Sequence, residues 1–169
     1  MPSVSDPRPR VIGRIRTRHT SMEHTPVQAA LNADDEGTIE LDPRYAEALD
    51  GLSGFSHLWL LTWLADEAEP PEPELRQVPF LLRRTPRLIG TFATRSPKRP
   101  TPIGLSLVRL VAVDAATIRF RGVDMVDGTL LLDLKPYFAD ADVPDGEVRC
   151  GWLDTVTLEE GSTPASLEP

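Results

Sequence analysis

The sequence predicts a mainly β protein: a single antiparallel, barrel-like β domain with one or two short helices. Three observations carry that expectation. Strand-like runs at 88–94, 106–113, 117–123 and 130–134 recur roughly every 10 to 15 residues. The links between the later ones are short turn sequences, DAAT and VDGT, which leave no room for crossover helices. No internal repeat and no alternation of strands with long helical periods is present, which argues against a stack of βαβ units.

Taken in order, residues 1–9 are polar and proline-rich and read as a flexible N-terminus. RVIGRIRTR, Arg10–Arg18, alternates apolar with charged residues and reads as the first strand of a domain spanning 10–158. GTIELD predicts a second strand. Asp42 before Pro43 predicts a helix start, because an aspartate can cap free amides while proline tolerates the first helical position; that helix ends near Gly51. FSHLWLLTWL, Phe55–Leu64, is a continuous apolar run too short for three helical turns and is assigned as a buried strand. DEAEPPEPE, 66–74, holds five acids and three prolines and can only be a loop. Residues 159–169 read as a flexible tail.

Composition narrows the function. The 169 residues carry 40% hydrophobic content, enough for one buried core, and a net charge of −8, which argues against a general coat for nucleic acid or lipid. That charge is uneven: Arg83, Arg84, Arg87, Arg95, Lys98 and Arg99 form a stretch without an acid, so one basic face on an acidic body is expected. The single cysteine, Cys150, excludes an internal disulfide and reads as a small buried apolar residue. No apolar run reaches the roughly 18 residues of a membrane helix and no signal-peptide core is present, so a cytoplasmic protein without membrane contact is expected. His19 and His24 read as solvated loop residues and His57 as a core histidine; their scatter suggests no metal site.

Glycine-rich dinucleotide fingerprints, phosphate loops, nucleophile elbows and paired-cysteine zinc motifs are all missing. Two dense segments remain. GTFATRSPKRPTPIGLS, 90–106, packs Pro97, Pro100 and Pro102 around Arg95, Lys98 and Arg99, so the backbone presets basic groups that suit a carboxylate or phosphate. GVDMVDGTLLLDLKPY, 122–137, punctuates an apolar run with Asp124, Asp127 and Asp133, and its Asp127-Gly128 pair is a tight-turn signal.

These two segments, with LDGLSGFSHLWLL, TPVQAA and VIGRIRT upstream, resemble the TsaA-like, or TrmO, family of tRNA methyltransferases over about residues 11–137. The resemblance implies a β-barrel methyltransferase of non-Rossmann type that binds S-adenosyl-L-methionine near a homodimer interface. It also implies methylation of the N6 nitrogen of threonylcarbamoyladenosine beside the tRNA anticodon. By matching motif, Val27, Gln28, Arg95, Leu105, Asp127, Gly128, Thr129 and Leu130 are the expected cofactor contacts. Lys98, Arg99 and Tyr137 are the expected substrate contacts, and Asp127 is the candidate catalytic carboxylate with His57 behind it. Val27, Thr101 and Leu130 stand where the family pattern has Arg, Asn and Pro. With the acidic charge, these pocket changes keep open two alternatives: a methyltransferase of the same fold acting on a small molecule, and a non-enzymatic S-adenosylmethionine-binding regulator.

Overall fold

The computed structural model describes residues 9–64, 73–157 and 159–167. Among the described residues eight strands are formed: β1 Gly13–Arg16, β2 Glu36–Leu41, β3 His57–Trp63, β4 Arg76–Gln77, β5 Ile89–Gly90, β6 Ile103–Asp114, β7 Thr117–Arg121 and β8 Leu130–Pro136. Six of them close a barrel in the order β1-β2-β7-β6-β3-β8, with every ladder antiparallel, and β4 with β5 makes a separate two-stranded ribbon. Closure removes the sheet edges that an open sheet of this size would expose.

Alternation along each strand decides what fills the barrel. Leu58 and Leu60 of β3, Val108 of β6, Ile118 and Phe120 of β7, Ile15, Ile39 and Leu131 all point inward and are essentially inaccessible. Each such side chain contributes roughly 1.5–3 kcal/mol relative to exposure. Gly37 makes room for the largest of them, since a Cβ there would lie 2.4 Å from Phe120 Cζ. The register then changes the chemistry of the interior along the axis. Leu58 faces Val108 across the β3–β6 ladder, Leu60 faces Ser106 and Thr62 faces Gly104, so the interior turns from apolar to polar and small toward one end. A β-bulge between Leu61 and Thr62 shifts the β3–β8 register at that same end.

The connections differ from the sequence expectation in three places. The helix starting at Pro43 forms with its aspartate cap, Arg44 N donating to Asp42 Oδ1 at 3.1 Å, but it is a 3-10 helix over Pro43–Leu49. The run at 88–94 pairs only at Ile89–Gly90 and then coils into a 3-10 turn, Thr91–Ala93. An α-helical turn, Ala139–Asp142, follows β8, and the expected acidic loop has its residues 66–72 outside the described part. Gly161 to Pro164, within the stretch whose composition suggested a tail, are packed: Gly161 N donates to Leu31 O, Val27 N to Ser162 O, and Arg83 Nη1 to Pro164 O at 2.8 Å. Among the described residues no helix is long and apolar enough to cross a membrane.

Candidate functional site

The polar end of the barrel opens into a cavity of about 970 Å³. Its floor is the start of β6, Ile103 to Ser106, with Trp63 opposite Ile103 at the end of β3 and Leu64 just beyond. Four loops wall it: 25–28, 94–99, 124–130 and the C-terminal stretch 150–153, with Phe80 adding apolar surface from the side. A concave site of this size, mostly apolar with a few convergent polar groups, suits a nucleoside-sized ligand.

The turn 127–130 is fixed to β1 from several directions. Asp127 N donates to His19 O at 2.7 Å, Gly128 N to Ile15 O at 2.8 Å and Ile15 N to Thr129 O at 2.8 Å. Gly128 has φ +83, the left-handed conformation that the Asp-Gly signal anticipates. Asp127 itself is occupied with holding the turn: its Oδ1 accepts from Thr17 N at 3.1 Å and its Oδ2 lies 3.5 Å from Arg16 Nη1. Across the cavity Arg95 Nη1 donates to Gln28 Oε1 at 3.2 Å, joining the 94–99 loop to the 25–28 loop. Arg99 Nη1 donates to Thr94 O at 3.2 Å.

The proline-stiffened loop is also held from behind by a buried residue that carries no motif. Gln77 Nε2 donates to Lys98 O at 2.9 Å and to Thr91 Oγ1 at 2.8 Å, and Thr91 Oγ1 in turn donates to Glu74 O. Trp152 closes the other side, its Nε1 donating to Ala93 O at 2.8 Å.

Nine expected site residues line the cavity: Val27, Gln28, Arg95, Arg99, Leu105, Asp127, Gly128, Thr129 and Leu130. Two expected substrate contacts lie elsewhere. Lys98 points away and pairs with Glu74 at 3.2 Å. Tyr137 packs on the outer barrel wall against His57 and Trp59, with ring centroids 6.3 and 6.2 Å apart. His57 is not a core residue, because the strand alternation that buries Leu58 turns it outward, where its Nδ1 meets Ser56 Oγ at 2.9 Å. His19 is the reverse case: its side chain is 10% exposed and its Nε2 lies 2.7 Å from Asp35 Oδ2. Cys150, expected to be buried, is exposed at the cavity mouth, because it caps a 3-10 turn on a surface segment.

Asp124 is the cavity residue that sequence reasoning passed over. Gly122, at φ +90, turns the chain after β7 so that Val123 and Met125 plug the core, and Asp124 between them reaches the cavity. Its Oδ1 accepts from Ser106 Oγ at 2.7 Å and its Oδ2 from Ala29 N at 3.0 Å. Burial pushes its pKa above the ordinary aspartate value, against the opposing pull of those two donors and of the Arg95 charge. Both partners are far away in sequence, so no local signal marks the position; only the alternation that puts Ser106 inside β6 hints at a polar interior.

Comparisons with known proteins agree on the family. Residues 14–143 match the family described as tRNA-methyltransferase O N-terminal domain. The chain is 40% identical over 145 residues to a probable S-adenosyl-L-methionine-binding protein of Pyrococcus abyssi, covering 86% of this chain and 75% of that one. It is 39% identical over 142 residues to the tRNA (adenine(37)-N6)-methyltransferase of Escherichia coli, covering 79% of this chain and 59% of the relative. The crystal structure of TrmO from Pseudomonas aeruginosa superposes with a TM-score of 0.69 at 33% identity, covering 88% of this chain and 63% of that one.

Proposed function

The chain belongs to the tRNA-methyltransferase O N-terminal domain family, methyltransferases that use S-adenosylmethionine, and on that premise we propose that it methylates the N6 nitrogen of threonylcarbamoyladenosine beside the tRNA anticodon. The observation that carries this reading is the cavity at the polar barrel end, which gathers Gln28, Arg95, Leu105 and the 127–130 turn although they come from four separate parts of the chain. S-adenosylmethionine supplies the methyl group when bound, and the residues present fit it. Val27, Leu105 and Leu130 give apolar walls for a flat base, the Arg95 fork suits the amino-acid carboxylate, and the backbone of Gly128 and Thr129 offers polar contacts on the opposite side.

The protein's own share of the chemistry is positioning. Methyl transfer needs the acceptor nitrogen in line with the methyl carbon, so walls that cannot shift raise the rate by holding that geometry. The Gln28–Arg95 bond, the β1 anchors of the 127–130 turn and the Gln77 brace are the contacts that keep these walls in place. Arg14 and Arg99, both at the cavity, offer basic groups for RNA phosphates. We infer that two copies pair so that the outward side of β6 beside the cavity, with Ile103 41% and Leu105 47% exposed and Leu61 next to Leu105 across the ladder, lies at the interface. Sedimentation of a Leu61→Glu variant tests that pairing, with a monomer as the expected result.

The deciding experiment incubates the protein with methyl-labelled S-adenosylmethionine and total tRNA, digests the RNA and identifies the labelled nucleoside. Label in N6-methyl-threonylcarbamoyladenosine, with binding that weakens steeply as salt rises, is the expected outcome. The net charge of −8 supports a second reading, a small-molecule acceptor, and label appearing only in a metabolite fraction would favour it.

A further inference from the structure

Methylation of a nitrogen that bears hydrogen has to dispose of a proton. Asp124 and Asp127 are the carboxylates lining the cavity among the described residues, and the structure gives them different work. Asp127 has a side chain 39% exposed, lies 3.5 Å from Arg16 Nη1 and spends its Oδ1 on Thr17 N, so its oxygens are engaged in anchoring the turn. Among the described residues Asp124 forms no salt bridge. Its oxygens accept from neutral donors, Ser106 Oγ, Ala29 N and its own backbone N–H, and a carboxylate has about four lone-pair sites, so acceptor capacity remains. It also sits in the cavity wall, where burial makes the carboxylate a stronger base than in solution.

Resting on the methyl-transfer reading above, we propose that Asp124 takes the proton of the acceptor nitrogen. In the balanced step a nitrogen–methyl bond forms as the methyl–sulfur bond of the donor breaks. The electron pair stays on sulfur, the N–H proton ends on a carboxylate oxygen of Asp124, and the positive charge of the donor is cancelled by the negative charge of the aspartate. Ser106 and Ala29 then serve as positioning groups: they fix the carboxylate plane and stabilise its ionised form before the proton arrives. Arg95 is the charged group that faces Asp124 from the 94–99 loop. Arg14, Arg99, Asp127 and Cys150 are the remaining ionisable groups around the cavity.

Asp124→Asn tests the assignment without removing the local contacts. The amide oxygen can still accept from Ala29 N, and the amide nitrogen can donate to Ser106 Oγ. The expected result is a fall in turnover of about a hundredfold or more, S-adenosylmethionine affinity unchanged within about threefold by equilibrium dialysis, and loss of the acid limb of the kcat–pH profile. Ser106→Ala gives an independent reading, because removing a donor to the carboxylate moves that limb to higher pH. A third readout needs no turnover: carboxyl carbon shifts of the ligand-free protein show one aspartate titrating above the ordinary range, and that signal is missing in D124N. Wild-type turnover with an unaltered pH profile in D124N overturns the proposal, as does an acid limb unmoved by S106A. Those results with an active wild type leave the methyltransferase reading standing, whereas a wild type that binds cofactor and methylates nothing removes both.

Discussion

The two ends of the barrel are built from the same strands and follow opposite rules. At one end Leu58, Val108, Ile118 and Phe120 fill the interior with apolar side chains. At the other the same alternation delivers Thr62, Gly104 and Ser106, and the space left over becomes the cavity. A strand that is uniform in backbone geometry can therefore serve stability along half its length and binding along the rest, by exchanging large apolar residues for small polar ones at the inward positions.

If that division holds, substitutions at the closed end should cost stability first and substitutions at the cavity should cost binding first. Leu60→Ala opens a void in the middle of the barrel and is expected to destabilise by about 2–5 kcal/mol, read as a lower urea midpoint at unchanged slope. A loss below about 1 kcal/mol would mean that the interior is loosely packed and the contrast false. Gly104→Val is the intermediate case. Its Cβ would lie 2.4 Å from Thr62 Oγ1 and 2.9 Å from Leu64 Cδ2, so a cost of about 1–3 kcal/mol is expected, together with weaker cofactor binding, since Gly104 also lines the cavity.

Asp35 adds a pH-dependent probe outside both ends. Burial works against its charge, but hydrogen bonds from Asn32 at 3.0 Å, His19 at 2.7 Å and Arg18 at 2.9 Å outweigh it and hold its pKa below the ordinary value. A depressed aspartate stabilises the fold above its unfolded-state pKa and loses that contribution as pH falls through the folded one. Asp35→Asn should therefore be less stable than wild type at neutral pH by on the order of 1 kcal/mol, with the gap closing in acid; thermal melts at several pH values give the curve. The smallest effect on stability belongs to Trp152→Ala, expected within about 0.5 kcal/mol because this indole sits at the surface of the cavity wall. Its consequence should be seen in binding, as a several-fold rise in cofactor Kd by calorimetry, and an unchanged Kd would show that 150–153 is a bystander.

Legibility in the sequence divided along the same line. β1 was readable because alternation is a local signal, β3 because its apolar run is too short for a helix, and β6, β7 and β8 because turn residues sit between them; VDGT announced the left-handed Gly128 and DAAT the turn at Ala115, where φ is +49. The cavity rim was not. Leu88 to Thr94 has strand composition, yet only two residues find a partner, because Pro86 and the prolines from 97 onward interrupt pairing. Asp124 looked like a punctuation mark in an apolar run, and its importance rests on Ser106 and Ala29, 18 and 95 residues away. Lys98 carried the right charge in the right loop, but Glu74 draws it to the outside. The family resemblance located most of the cavity lining because motif similarity records the outcome of such long-range contacts.

The barrel closes over a very short seam. β1 and β8 share two register pairs, Gly13 with Leu131 and Arg14 with Leu130, against seven between β3 and β6. Leu130 is also the last residue of the turn that walls the cavity. Thermal breathing should begin at that seam, and it would admit water to the binding site before the core is disturbed. Amide hydrogen exchange would resolve the sequence of events, with Ile12 and Ile15 losing protection well ahead of Leu60 and with bound ligand slowing those two amides most.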